Sequence, residues 1–256
     1  MVTPHVLPSG DELRVFADAG ALARGAAEDF VERARRAVGA SGRFDVALSG
    51  GSTPLAMFRE LAEEEPGRGL VWRRIHVFWS DERTVGPEDP ESNYGAAWRT
   101  LLSRVAIPRA NLHRPRGEDA DAVRAAARYE SEIRAHFEVG AAEVPAFDLV
   151  DLGLGADGHT ASLFPETPAL DETRRLVAAN PVAKLGAVRL TFTYPLLDRA
   201  RCVRFVVSGE RKAGIVQAVL EGPRQPRALP AQGVRPAPGA LRWWLDAAAA
   251  SRLTVR

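Results

Sequence analysis

The chain has 256 residues, 46% hydrophobic and 26% charged, and its 34 basic and 33 acidic side chains leave a net charge of +1. That length holds one large α/β domain or two small ones, at ~100–200 residues per domain, and the balanced charge excludes a global field that would draw the protein to nucleic acid or a membrane surface. No apolar run approaches the ~20 residues of a membrane span, the opening MVTPHVLPSGDE has no signal-type apolar core, and the single Cys202 excludes an intrachain disulfide, so a cytoplasmic protein is expected.

Apolar residues at positions 22, 26, 30, 34 and 38 make one face of a helix over residues 22–38. The β-type run FDVAL (Phe44–Leu48) leads into SGGSTP and then PLAMFRELAEE, residues 54–64, with Pro54 in the first turn of a helix and Thr53 or Ser52 as its cap. The arrangement recurs: IHVFW (Ile75–Trp79) runs into the polar loop SDERTVGPEDPESN and a helix near residues 94–105. A long amphipathic segment, 119–137, precedes a strand at 147–152, and CVRFVVS at 202–208 leads into a helix at 210–220. VRLTFTYP, residues 188–195, alternates and follows a short run at 176–179, the pattern of an antiparallel addition at one edge. The Pro/Gly-rich stretch 223–238 reads as a surface loop before a last helix at 241–250. With no linker and no internal repeat, alternating strands and helices predict one domain over residues 1–256. Its fold is α/β, with a doubly wound, mostly parallel sheet and helices on both faces.

Four polar loops follow predicted strands: SGGSTP, SDERTVG, GLGADGHT and SGERK. A parallel sheet gathers all four at its carboxyl edge, where ligands bind. GLGADGHT presents Asp157 and His159 two residues apart among glycines 153, 155 and 158, and His159 is the only one of five histidines in such a setting. It reads as a general base. The three glycines formally satisfy G-x-G-x-x-G, but that fingerprint needs a helix starting inside it and an acidic residue ending a second strand ~20 residues on. Here Pro165 and Pro168 interrupt the next stretch, so the glycines read as backbone shaping and no dinucleotide is expected. Gly50, Gly51, Ser52 and Thr53 form either an anion cradle at a helix N-terminus or a tight turn with an ordinary cap. Asp81, Glu82 and Arg83 are ambiguous alone, a solvated charge cluster after a strand being the usual explanation for such a triplet. Lys184 and Lys212 are the only lysines. They are chance survivors of a bias to arginine or sit where a compact ammonium is needed. His5, His76, His113 and His136 have no partner at metal-ligand spacing, so no metal is expected. Cys202 reads as a buried, inert thiol.

The motifs SGGSTP, SDERTV, SNY (92–94), GLGADGHTASLFP (153–165), K-x4-R-x-T (184–191), SGERKA (208–213), LPAQ (229–232) and WWLDAAAA occur in this order along nearly the whole chain. In them the chain resembles the 6-phosphogluconolactonases, within the wider family that includes glucosamine-6-phosphate deaminases. Both lysines fall on motif positions. Where the lactonases are proline-rich between the lysine and arginine of K-x4-R, this chain reads Leu185, Gly186, Ala187 and Val188, with the spacing retained. The resemblance implies hydrolysis of the δ-lactone of 6-phosphogluconate in the oxidative pentose phosphate pathway, without metal or organic cofactor, by a water activated at His159. It implies that Asp157 orients or stabilises the imidazole, that Asp81 belongs to the catalytic group and that Arg83 stabilises the oxyanion. Gly50, Gly51, Ser52, Thr53, Arg189 and Lys212, with Lys184 nearby and the helix opening near Glu210, would hold the phosphate. The expected partner is the phosphorylated sugar lactone alone, with neither nucleic acid nor membrane, on a monomer or weak homo-oligomer. A deaminase would carry glutamate where Phe164 stands and DEY where Asp81, Glu82 and Arg83 stand. A non-catalytic sugar-phosphate sensor would need no His159 and would usually carry a helix-turn-helix for which the chain has no room.

Overall fold

Short runs of β-branched and aromatic residues become the strands of two sheets in the computed structural model, which describes residues 4–63, 69–237 and 239–254. In chain order the elements are β1 (His5–Val6), β2 (Glu12–Phe16), α1 (Ala19–Ser41), β3 (Phe44–Leu48), α2 (Ser52–Ala62), β4 (Ile75–Trp79), β5 (Asp81–Arg83) and α3 (Asn93–Ala97). There follow β6 (Leu112–His113), α4 (Ala122–His136), β7 (Leu149–Leu152), β8 (Val177–Val182), β9 (Ala187–Phe192), α5 (Tyr194–Leu197), β10 (Cys202–Val207), α6 (Ala213–Leu220) and β11 (Ala240–Asp246). The large sheet has the order β1-β2-β11-β10-β7-β3-β4-β6. Its pairings are parallel except at the β1–β2 edge. The chain winds from β3 outward to β4 and β6, then crosses back to lay β7 on the other side of β3 and continues to β10 and β11. β3 and β7 therefore flank the point where strand order reverses, and the crevice beyond their carboxyl ends is where such a sheet binds ligands.

Alternation along the strands sorts two apolar cores. Phe44, Val46 and Leu48 of β3 and Val77 and Trp79 of β4 join Leu22, Phe30 and Phe58 of α1 and α2. Ala47, Phe78, Val150 and Phe205 face the other way, among Tyr129 and Ile133 of α4, Val216 of α6 and Phe192 of β9. Because both faces are covered, the central strands are near-continuous apolar runs. Helix α1 buries Leu22, Ala26, Phe30 and Ala34 as the periodicity predicts. Asp18 Oδ1 caps it by accepting the Ala21 N–H at 2.7 Å, and Gly42 ends it at φ 81°. Helix α2 differs from expectation: its N-cap is Gly51, at φ 106°, and no side chain caps it. Its leading N–H groups are the orphan donors that an anion satisfies.

Four predicted elements change. Residues 241–250, read as a helix for their alanines, begin with β11, inserted between β10 and β2. There Trp243 stacks on Phe205 with ring centroids 3.9 Å apart, and Trp244 fills the opposite core. Burial on both faces of a sheet outweighs helix propensity. The helix near 94–105 is α3 followed by a π turn, Trp98–Leu102, and the one at 210–220 opens with a 3-10 turn, Glu210–Lys212, before α6. The alternating segment 188–195 contributes β9, which pairs antiparallel with β8 and with β5 in a separate three-stranded sheet, so Asp81, Glu82 and Arg83 form a strand rather than a loop. Of the predicted stretches, residues 1–3 of the opening segment, Glu64 of the second helix and Pro238 of the late loop lie outside the described residues.

One charge sits inside this apolar frame. Arg204 of β10 is fully buried and pairs in register with Asp151 of β7, its Nε and Nη2 donating to the carboxylate at 2.8 and 3.0 Å. Nη1 donates to Asp29 and to the Ala26 carbonyl of α1, both at 2.9 Å. Removing one member of such a network strands the others in low dielectric, at about 3–5 kcal/mol. Arg204→Ala is therefore expected to lower the unfolding free energy by about that much in urea denaturation. A loss below about 1 kcal/mol, the size of an exposed ion pair, would show that water reaches the two acids.

Candidate active site

The segment that follows β7 folds back on itself. The Gly155 N–H donates to the His159 carbonyl at 2.8 Å, the Gly158 N–H to Gly155 O at 3.1 Å, and Thr160 Oγ1 to Gly153 O at 2.9 Å. Gly158 takes φ 82°, and a Cβ on Gly155 would overlap the His159 ring. The imidazole thus occupies the space that a side chain at 155 would fill. Its Nδ1 lies 2.5 Å from Asp157 Oδ1, an arrangement in which Nδ1–H donates to the carboxylate and Nε2 keeps its lone pair. Lys184 Nζ pairs with the other Asp157 oxygen and lies 4.7 Å from the Phe164 ring centroid. Phe164 in turn stacks on His159, centroids 4.1 Å apart. Burial pushes the His159 pKa down to about 4; Asp81 opposes this, while Lys212 and Arg83 add to it. The imidazole is therefore neutral at pH 7, with one nitrogen oriented by an acid and the other available as a base.

Around it opens a cleft of about 680 Å³. Its walls include every residue to which the resemblance gives a catalytic or phosphate-holding role: His159, Asp157, Asp81 and Arg83, then Gly50, Gly51, Ser52 and Thr53 at the α2 N-terminus, and Lys184, Arg189 and Lys212. Lys212 Nζ donates to the Leu154 carbonyl at 2.7 Å, tying the strand end of β10 to that of β7, and burial lowers its pKa. Arg83 and Arg189 lie directly opposite each other across the β5–β9 ladder, and burial and Arg83 together lower the Arg189 pKa. Like charges facing across a ladder repel, so an anion between or above them is the natural counterweight. The cleft is therefore polarised, with a neutral base at one part of its wall and cations with uncapped helix N–H groups at another.

Sequence reasoning passed over three residues here. Asn93, at the start of α3, donates from Nδ2 to the Asp81 carbonyl at 2.9 Å and fills the space above Gly50. Ser162 Oγ donates to Asp81 Oδ2 at 2.8 Å, and Phe164, noted only as a non-acidic position, is the plate beneath the imidazole. All three lie in motifs quoted above, but a neutral side chain carries no signal of its own until a partner is known. Glu82 is buried and accepts from the N–H groups of Arg83, Asn93 and Tyr94, each at 2.8 Å, fixing β5 against α3. The reading that His76, His113 and His136 have no partner at metal-ligand spacing holds along the chain but not in space: their ligand atoms lie within 4.8 Å of one another, brought together by β4, β6 and α4 from positions far apart in the chain. None of the three lines the cleft.

Residues 17–243 match the family described as glucosamine-6-phosphate isomerases/6-phosphogluconolactonase. The chain is similar to a 6-phosphogluconolactonase of a Synechocystis species, 43% identical over 86% of this chain and 89% of that one. It is likewise similar to a 6-phosphogluconolactonase of a Nostoc species, 40% identical over 95% and 98%. Among solved structures, the 6-phosphogluconolactonase from Trypanosoma cruzi superposes with a TM-score of 0.85 at 29% identity, covering 98% of this chain and 99% of that one.

The electrostatics of His159 are directly measurable. By NMR its ring protons are expected to titrate near pH 4, since burial and the two cations disfavour the imidazolium. Removing a cation, Arg83→Gln, should raise that midpoint, and Asp81→Asn should lower it. Titration of wild-type His159 at or above its ordinary pKa of ~6.5 would mean that the ring is solvated rather than enclosed.

Proposed function

The chain belongs to the glucosamine-6-phosphate isomerase/6-phosphogluconolactonase family, and on that premise we propose how its cleft acts as a lactone hydrolase on 6-phospho-D-glucono-1,5-lactone. The observation that carries the scheme is the His159–Asp157 pair, with Nε2 free, set in the wall of a cleft that also holds the cations. Neutral His159 takes a proton from water through Nε2 as the water oxygen attacks the lactone carbonyl carbon. A lactone is an activated ester, so one base suffices for this step. The imidazolium that forms is stabilised by Asp157 at Nδ1 and by the field of Asp81, which favours the charged ring. Lys184, paired with Asp157 and stationed over Phe164, helps to hold that acid in place.

Arg83, one of the cations whose field reaches His159, receives the oxyanion of the tetrahedral intermediate together with loop N–H groups. The intermediate collapses by breaking the bond between the carbonyl carbon and the ring oxygen, which takes the proton back from the imidazolium. The products balance as substrate plus water. Gly50, Gly51, Ser52 and Thr53 at the uncapped α2 N-terminus, with Arg189 and Lys212, hold the phosphate. In the deaminase branch Phe164 would be a glutamate. Here an aromatic ring stacks on the base, and that position carries no acid. We place this activity in one domain over residues 1–256, in the cytoplasm, on a monomer or weak homo-oligomer that engages neither nucleic acid nor membrane. Among the described residues no helix is long and apolar enough to cross a membrane, and the balanced charge of +1 gives no global field toward nucleic acid or a membrane surface.

The purified protein should hydrolyse the phosphorylated lactone above its spontaneous rate and release no ammonia from glucosamine 6-phosphate; the reverse pattern would move it to the deaminase branch. His159→Ala should lower kcat by ~10²–10⁴, the range of a general-base contribution, with the fold retained by circular dichroism. A variant keeping more than about a third of wild-type kcat would remove His159 from that role.

The phosphate assignment is tested by comparing two substrates. Charge-assisted bonds to phosphate are worth ~1.5–3 kcal/mol each, so Arg189→Ala or Lys212→Ala should cost about 10–150-fold in kcat/KM on the phosphorylated lactone. Unphosphorylated glucono-lactone should be nearly indifferent to either change. Arg83→Ala should impair both substrates alike. Equal losses on both lactones for Arg189→Ala and Lys212→Ala would relocate the phosphate.

A further inference from the structure

We propose that His76, His113 and His136 form a binding site for a borderline divalent transition metal, Zn²⁺ in the first instance, remote from the catalytic cleft. His76 Nδ1 and His113 Nε2 stand 3.3 Å apart. Two nitrogens bound to zinc at ~2.0–2.1 Å in a tetrahedron are about 3.4 Å apart, so this pair already has the required separation. The third imidazole brings its ligand atom within 4.8 Å of both, a gap that a small ring rotation closes.

The surroundings match what such a site needs. Glu132 Oε1 lies 3.0 Å from His113 Nδ1, the carboxylate–imidazole contact that fixes a ligating histidine's tautomer and leaves Nε2 for the metal. Asp45 Oδ1 lies 2.7 Å from His136 Nε2 and supplies negative charge against the dication, while Arg43 occupies its other oxygen at 2.9 Å. His136 is in the last turn of α4, the negative end of that helix dipole. Phe78 stacks on His113 at 4.3 Å and Phe137 packs edge-on to His136 at 5.0 Å, walling the cluster with apolar rings. All three histidines are only partly buried, so an ion has a path in.

The ion would cross-link β4, β6 and α4 at one side of the sheet and act on stability rather than on the reaction. The test titrates EDTA-dialysed protein with Zn²⁺ by calorimetry and with Co²⁺ by visible absorption. One equivalent is expected to bind with Kd below about 10 μM, the weak side of the affinities that structural zinc sites show. Co²⁺ should give the intense d–d bands of a tetrahedral nitrogen-ligated ion. At a hundredfold excess over Kd the melting temperature should rise by about 5–10 °C. His76→Ala and His113→Ala should each weaken binding at least about tenfold and so remove at least about half of the shift at the same metal concentration. Lactone hydrolysis by the wild-type protein should be the same with and without EDTA, so failure here is distinguishable from failure of the reaction scheme. Absence of binding by the wild-type protein below about 1 mM, or an octahedral Co²⁺ spectrum, overturns the site without recourse to variants that misfold. So does equal affinity in a folded His76→Ala/His113→Ala double variant.

Discussion

The pairing of Arg204 with Asp151 is the constraint on which the rest of this architecture hangs. The two stand opposite each other in the β7–β10 ladder, both almost wholly out of solvent. A one-residue slip would leave each charge alone in the apolar interior and turn every neighbouring side chain to the wrong face. The same Asp151 accepts from Ser49 Oγ through its carbonyl at 2.7 Å, so the end of β3 is tied to β7 as well. The other arm of Arg204 reaches α1. Three strand ends and a helix are thereby registered about one residue that lies four positions before Gly155.

That registration is what makes the cleft chemically asymmetric. SGGSTP leaves β3, GLGADGHT leaves β7 and SGERK leaves β10, and these are adjacent or next-but-one strands flanking the point where strand order reverses. The small antiparallel sheet then brings Arg83 and Arg189 over the same opening. Enclosure of His159 with cations close by keeps the imidazole uncharged near neutral pH. Asp81 works the other way, favouring the charged ring, and Asp157 holds Nδ1. Two acids and two cations around one imidazole thus separate its resting form from its transient one.

Phe164 sets the character of the surface beneath the imidazole. A carboxylate under the imidazole would offer a second proton carrier, as ring opening and ammonia loss require. An aromatic ring there offers only a dry surface and a seat for Lys184. Lactone hydrolysis needs no more than an activated water and a place for the oxyanion. The departure of 185–188 from proline is accommodated by the left-handed Gly186, φ 58°, which turns the chain between β8 and β9 and keeps Lys184 and Arg189 on the same wall.

Much of this protein was determined by the sequence alone. The alternation of apolar strands with amphipathic helices dictated a doubly wound sheet, because each strand must be covered on both faces. The polar loops after those strands had only one edge at which to meet. His159 stood out by its glycine setting and both lysines by their rarity and their place in the motifs, and all three line the cleft. Tertiary structure decided what depends on partners remote in the chain. Residues 241–250 carry helix-favouring alanines, yet the slot between β2 and β10 made Ala240–Asp246 a strand, since burying Leu241, Trp243 and Leu245 on one face and Trp244 on the other outweighs local propensity. Asn93 and Ser162 gained meaning only from the Asp81 groups they contact. The three histidines of β4, β6 and α4, separated by dozens of residues, became neighbours because ligand geometry is a property of space, and sequence spacing reports it only when the ligands share one element.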